Sequence, residues 1–314
     1  MITNSEIGIR GRLGNVLFQY AAMKGLAALN GSFVILPSNI NERNHHGQQC
    51  LLKYFKIDAL YVPPDMIPKI CTHKFFDGEN PRIFKPDFLT LPQNTNLIGH
   101  YENIKYFEHI ESDIKREFQL VDEIKEIGKI KLQEFLKGNI ITKDDNINPT
   151  RGNIITKDDN INPTRGYPSG TEIIAIHVRL GDGIDTYGVE YQQPWMDQYL
   201  KNAISSFDDI QNKIFICFTG GTRYNGDISE KSEIKYCEEY LGKYIKNDLF
   251  FSCGNSSIVD FSMLTQANHV IVLVFSTFIW WAGFTNQMGG KIIVPKNAKF
   301  AVGTDYWYRS FIQL

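Results

Sequence analysis

The apolar residues of this 314-residue chain fall into two periods that alternate along it. The stretch "VLFQYAAMKGLAALNG" sets Leu17, Phe18, Ala21, Ala22, Gly25, Leu26 and Leu29 on one side at helical spacing, and Asn30-Gly31 supplies the stop. Ahead of it, "EIGIR" predicts a short strand and "GRLGN" a glycine turn; "SFVILP" predicts the next strand. Residues 38–135 are aromatic and isoleucine-rich, with prolines clustered at 63–68 and a charged helix expected near 108–136. They read as an α/β domain with irregular decoration.

From residue 171 the alternation becomes regular. Ile173–Val178 predicts a strand, and "QPWMDQYLKNAISSF" a helix opened by Pro194 with Tyr199, Leu200, Ala203, Ile204 and Phe207 on one face. "KIFICFTGG" predicts a strand, and "EIKYCEEYLGKYI" a helix carrying Ile234, Cys237, Tyr240, Leu241 and Tyr244. Then come "LFFS" as strand, "SSIVDFSMLTQ" as helix, "HVIVLVF" as strand, "FIWWAGF" as a helix start and "KIIVP" as a closing strand. Strands apolar on both faces, joined by helical crossovers, predict a parallel, doubly wound sheet.

Between the two regions, "GNIITKDDNINPTR" occurs at 138–151 and again, letter for letter, at 152–165. Two short copies cannot stack a core, and the Asn, Asp and Asn-Pro content reads as loop. The expected organisation is an N-terminal domain over 1–136, a linker or insert over 137–170, and a C-terminal domain over 171–314. The identity of the copies points to a tolerated insertion, with a partner-binding arm as the alternative.

Composition narrows the function. An apolar share of 43% with 22% charged residues excludes disordered and fibrous classes. A formal charge of −2 argues against a general nucleic-acid or anionic-membrane partner, so any bound anion is expected to be held locally. Cys50, Cys71, Cys217, Cys237 and Cys253 show no paired spacing, which suits a reducing, cytoplasmic compartment. No CxxC or HExxH occurs, so no metal site is expected. The longest apolar stretch, residues 270–284, is broken by Ser276-Thr277 and falls short of the ~20 residues a bilayer requires, and no signal peptide is evident, so a soluble chain is expected.

Three predicted strand ends carry polar residues, and in open α/β sheets ligands bind beyond the carboxyl ends of strands. At Gly11-Arg12-Leu13-Gly14-Asn15 the glycines let amides approach an anion at a helix start, although taken alone they read first as a tight strand–helix turn. His177 and Arg179, two apart on a strand, project together, with Asp182 at the glycine turn that follows. Arg179 offers a planar fork suited to phosphate, while a lone strand histidine is also a common core residue. Ser276-Thr277-Phe278 offers hydroxyls and free amides at another helix start, or ordinary N-capping.

"GRLGNVLFQYAAMKGLA", "HVRLGD" and "DFSMLTQANHVIVLVFSTFIWWAGF" together resemble, in order and spacing, the signatures of the α-1,2-fucosyltransferases of glycosyltransferase family 11. The resemblance covers both ends and the centre of the chain. It departs from the family at Leu180, where many members carry a second basic residue, and at Val16 in place of a glutamine, and the N-terminal membrane anchor of animal members is not expected here. It implies an α/β GT-B fold, two Rossmann-like domains facing a cleft. The implied reaction is metal-independent transfer of L-fucose, with inversion, from GDP-β-L-fucose to the 2-hydroxyl of a terminal galactose in a glycan acceptor. GDP-fucose enters as donor substrate, and no cofactor is expected.

On that resemblance Arg179 meets the β-phosphate, and the amides of Gly14 and Asn15 with Ser276, Thr277 and Phe278 complete the cradle. His177 and Asp260 hold the guanine; for Asp260 the alternative is a first-turn carboxylate favoured by the helix dipole. Asp182 is the candidate base, with Asp185 and Glu190 as alternatives. Two other functions stay open: a fucosyltransferase of different acceptor or linkage, and a non-catalytic nucleotide- or glycan-binding relative.

Overall fold

The computed structural model describes residues 1–45, 47–137, 153–156, 166–180, 191–220, 230–246, 248–298 and 305–314. They divide into two units.

Unit 1 comprises Met1–Val121 and a return segment ending at Tyr308. Its parallel strands are β1 (Ile2–Thr3), β2 (Ile35–Pro37), β3 (Leu60–Val62), β4 (His73–Phe76) and β5 (Thr95–Ile98). They pair as β1–β5–β4 and β2–β3, and a parallel bridge from Ile2 to Val34 links the two sets. Helix α1 (Leu13–Leu29) is buried nearly all round rather than along one stripe, so it acts as a central core helix. Its interior glutamine, Gln19, is satisfied there by donating to the carbonyls of Gly99 at 3.0 Å and Arg10 at 3.2 Å. Gly25 lies where a Cβ would come within 2.0 Å of the Tyr106 carbonyl oxygen, so the close approach requires glycine.

The strand expected at Glu6–Arg10 is instead a turn, and the strand lies earlier, at β1. Gly8 adopts a positive φ of 77°, and the Arg43 guanidinium donates to the carbonyls of Ser5 and Ile7 at 2.9 Å. These backbone groups are consumed locally and cannot join a ladder. The charged helix expected near 108–136 is also two helices, α2 (Glu111–Glu117) and α3 (Asp122–Leu136). The break at Phe118–Val121 is tied down by an antiparallel bridge from Leu120 to Phe55 and by Val121 donating to the Tyr54 carbonyl.

Unit 2 holds α3 and the rest of the chain apart from the return segment, so its boundary precedes α3 rather than following residue 136. The cause is packing. Gly128 leaves no room for a Cβ against Ser262, whose Oγ donates to the Ile124 carbonyl at 2.9 Å, and Gln266 donates to the Lys125 carbonyl. The remaining elements are β6 (Asn153–Thr156), β7 (Glu172–Arg179), α4 (Pro194–Ser205), β8 (Lys213–Gly220) and α5 (Glu230–Leu241). Next come β9 (Leu249–Cys253), α6 (Ser257–Gln266), β10 (His269–Val272), α7 (Thr277–Phe284), β11 (Ile292–Val294) and β12 (Ile312–Gln313).

Among the described residues these strands form one sheet of seven in the order β12-β11-β10-β7-β8-β9-β6. All pairs are parallel except β9–β6. Strand β6 comes from the second copy of the repeat, so part of the expected linker is an edge strand. The regular alternation beyond residue 171 is thus a doubly wound sheet, as its pattern predicts.

Candidate functional site

The chain runs from β7 through β8 to β9 on one side, then returns to place β10 on the other side of β7. The order therefore reverses between β7 and β10, and ligands of open α/β sheets bind outside the strand ends at such a reversal. His177 and Arg179 lie at the carboxyl end of β7, and the loop after β10 leads into Ser276 and Thr277. This is the place where the sequence put its strongest cluster.

Strand pairing aligns Val272, His177, Phe218 and Ser252 in one row across β10, β7, β8 and β9. Aligned residues of a sheet share a face, so His177 and Ser252 project to the same side, two strands apart. His177 is buried, and among the described residues its Nδ1 has no hydrogen-bond partner. Burial, helped by the nearby Arg179 charge, lowers its pKa to about 3. The imidazole is therefore neutral near pH 7 and presents an unused polar atom. Arg179 keeps its charge and directs Nη1 to the Phe275 carbonyl at 3.5 Å. Tyr191 fixes the backbone there by donating to the Arg179 carbonyl at 2.9 Å.

Helix α7 begins at Thr277, and the preceding Ser276 has extended backbone angles but makes no side-chain cap. Simple N-capping by Ser276, the alternative from sequence, is not what the hydroxyl does. The first-turn amides of α7 point to the carboxyl edge of the sheet, in a turn with no acidic residue. The Phe278 ring lies 6.0 Å from His177 and 5.5 Å from Phe261. Asp260, in the first turn of α6, accepts a hydrogen bond from Ser252 Oγ at 2.8 Å, and Asn255 Nδ2 donates to the same Oγ at 2.9 Å. His177, Arg179, Asp260, Ser276, Thr277 and Phe278 thus gather along one edge of unit 2. Ser252, Asn255 and Phe261 join them without having been anticipated.

Gly14 and Asn15 lie in unit 1, in the first turn of α1, at the carboxyl edge of its own sheet. Gly11 has φ 88°, and a Cβ there would meet Asn15 Cβ at 2.5 Å, so the turn reading accounts for that glycine. Asn15 Nδ2 donates to His100 Nδ1 at 3.0 Å. His100 follows β5, and Asp77, just after β4, accepts from the backbone N–H of His100 at 2.6 Å and of Tyr101 at 3.1 Å. Burial lowers the His100 pKa to about 4, which keeps Nδ1 available as an acceptor near pH 7. Asp182, Asp185 and Glu190 lie outside the described residues. Among the described residues, no group of three His, Cys, Asp or Glu could hold a metal, and no helix is long and apolar enough to cross a membrane.

The family model described as Glycosyl transferase family 11 matches residues 153–307. Over those residues the chain is similar to glycosyl transferase family 11. The family 11 match takes in His177, Arg179, Asp260, Ser276, Thr277 and Phe278, and leaves Gly14 and Asn15 outside it. The chain is also similar to the galactoside alpha-(1,2)-fucosyltransferase 2 of Hylobates lar, with 24% identity over 91% of this chain and 70% of that protein. It is 25% identical to the protein of the same name from Bos taurus, again over 91% of this chain and 70% of the relative. A crystal structure of POFUT1 in complex with GDP has the same fold, with a TM-score of 0.50 at 11% identity over 93% of this chain and 97% of that one. The fold class is α/β, GT-B.

Proposed function

We propose that this chain transfers L-fucose from GDP-β-L-fucose to the 2-hydroxyl of a terminal galactose in a glycan, with inversion. One observation carries the reading: a neutral buried His177 and a charged Arg179 share a strand face at the switch point, beside the N-terminus of α7. That pairing suits a base at one end and a diphosphate at the other. The names of the relatives that the chain resembles support the choice of sugar and linkage.

In the transfer, the bond from fucose C1 to the β-phosphate oxygen breaks as a bond forms from C1 to the galactose 2-oxygen. The hydroxyl proton leaves to a base, for which Asp182 is proposed, and GDP departs with the bonding pair. Negative charge grows on the β-phosphate, and preorganised donors aimed at such charge are the strongest catalytic device a site of this kind has. Arg179, the hydroxyls of Ser276 and Thr277, and the amide of Phe278 are those donors in unit 2. The first-turn amides of Gly14 and Asn15 are what unit 1 would offer a phosphate. His177 and Asp260 take the guanine, Asp260 accepting from N1–H and the 2-amino group. No divalent metal is required in this scheme, because Arg179 and α7 supply the positive end.

The test is incubation with GDP-fucose and a panel of galactosides, with linkage analysis of the product. An α-1,2 product on terminal galactose is expected. Transfer to another position would replace the acceptor assignment, and GDP binding without transfer to any sugar would leave a non-catalytic binding protein. For the base, Asp182→Asn should keep GDP affinity and lose turnover.

A further inference from the structure

We propose that Ser252 and Asn255 form a directed relay that positions Asp260 and so sets the protein's selectivity for a guanine base. The inference rests on the reading that unit 2 takes a guanosine diphosphate sugar, and it adds two residues that neither sequence motifs nor family likeness single out.

The direction of the relay follows from the chemistry of its members. A side-chain amide nitrogen only donates, so Asn255 Nδ2 at 2.9 Å makes Ser252 Oγ an acceptor. An ionised carboxylate only accepts, so the single Ser252 hydrogen goes to Asp260 Oδ1 at 2.8 Å. A hydroxyl alone can turn its hydrogen to several partners. Here Asn255 occupies the accepting side and leaves the carboxylate as the donor's target. A carboxylate oxygen accepts more than one hydrogen bond, so the bond from Ser252 does not exclude a ligand while it holds the carboxylate's torsion.

The backbone builds this geometry in a short span. Ser252 is buried in β9, in the row that also carries His177. Gly254, at φ 68°, turns the chain, and α6 begins three residues later at Ser257. Asp260 then sits in the first turn of α6, its N–H bonded to the Ser256 carbonyl. On the other side, Phe261 meets Phe278, and Phe278 meets His177, whose buried Nδ1 lacks a partner among the described residues. An oriented carboxylate, aromatic rings and an unpaired ring nitrogen around one edge suit a planar heterocycle with adjacent donors. Guanine has them in N1–H and the 2-amino group. Adenine places an acceptor at N1, against the carboxylate.

The experiment measures binding of GDP and ADP to the full chain by calorimetry, in wild type and four variants. Wild type should prefer GDP. Ser252→Ala removes the hydroxyl bond that orients Asp260 Oδ1, so GDP affinity should fall about tenfold with ADP affinity unchanged, which collapses the ratio. Ser252→Thr keeps the hydroxyl and should restore the ratio. Asn255→Asp places a competing acceptor against Ser252 and should mimic Ser252→Ala, while Asn255→Ala should cost only two- to threefold. Asn255 is partly exposed, so these variants test the relay even if Ser252→Ala does not fold. Where transfer is measurable, the KM for GDP-fucose should rise with kcat retained. A GDP to ADP ratio that survives both Ser252→Ala and Asn255→Asp, in a protein whose wild type binds GDP, overturns the relay. Failure of the wild type to bind GDP overturns the nucleotide reading instead.

Discussion

Replacing His177 by glutamine should remove a specific acid sensitivity from the fold. The imidazole is buried, and its pKa in the folded chain is lowered from 6.5 to about 3, by burial first and by Arg179 second. In the unfolded chain it protonates near pH 6.5, while the fold refuses that proton until about pH 3. Below pH 6.5 the unfolded state therefore binds more protons, and stability falls as the pH falls. Each pH unit inside that window costs about 1.4 kcal/mol, so the loss between pH 7 and pH 5 comes to about 2 kcal/mol for this residue. Carboxylates and His100 titrate nearby, but they are present in both proteins and cancel in the difference. Urea unfolding followed by tryptophan fluorescence at pH 7, 6 and 5, in wild type and His177→Gln, reads the difference directly. The gap between the two should close, or reverse, by about 2 kcal/mol as the pH drops. A gap that stays constant within about 0.5 kcal/mol would refute both the burial argument and the neutral state assigned to His177.

Three further outcomes are expected. Arg179→Lys keeps a charge but loses the planar fork, so turnover should fall roughly a hundredfold, the scale of one preorganised donor lost, with the fold's thermal midpoint little changed. Gly128→Ala would put a Cβ 2.3 Å from Ser262 Oγ and 2.7 Å from Ser262 Cβ; it should destabilise unit 2 by about 1–3 kcal/mol, and Ser262→Ala should recover only part of that, because the Cβ clash persists. Because the copies at 138–151 and 152–165 are adjacent and identical, deleting either one yields the same polypeptide. That chain retains one Asn-Ile-Ile-Thr segment able to form β6, so its transfer rate should stay within twofold of wild type; a larger loss would assign the duplication a function.

Much of unit 2 was legible because its strands are apolar on both faces and its helices are long enough to show their period. The stretch at 270–284 illustrates this. Its length excluded a membrane span, its Ser-Thr break marked a turn, and the structure places β10 and α7 on either side of that break. Unit 1 was less legible for a physical reason. Ile7 and Ile9 alternate with polar neighbours as in a strand, but Arg43, more than thirty residues on, captures the intervening carbonyls. No local pattern encodes that contact. The same holds for the site. His177 and Arg179 were visible because residues two apart on a strand must share a face. Ser252 was invisible as anything but the end of "LFFS", since its partners are fixed by the turn at Gly254 and by the register of β8 with β9. His100 reaches Asn15 across 85 positions through the pairing of β1 with β5.

The row through His177 also explains how one strand end could serve two chemistries. On the proposed reading, a second cation beside Arg179 would compete with it for the phosphate and would repel any base donor. Burial prevents this by keeping His177 neutral, and the Arg179 charge reinforces that state. The positive charge on this strand end is therefore confined to Arg179, two residues nearer its carboxyl end, beside the acid-free start of α7. His177, deeper along the strand and next to the Phe278 ring, is left as an apolar-flanked hydrogen-bonding edge. A nucleoside diphosphate has this same order, a neutral heterocycle followed by concentrated charge. The alternation of the strand converts a two-residue spacing into that polarity. If His177 were protonated at working pH, the polarity would be lost, which is why the pH dependence of His177→Gln tests the site as well as the fold.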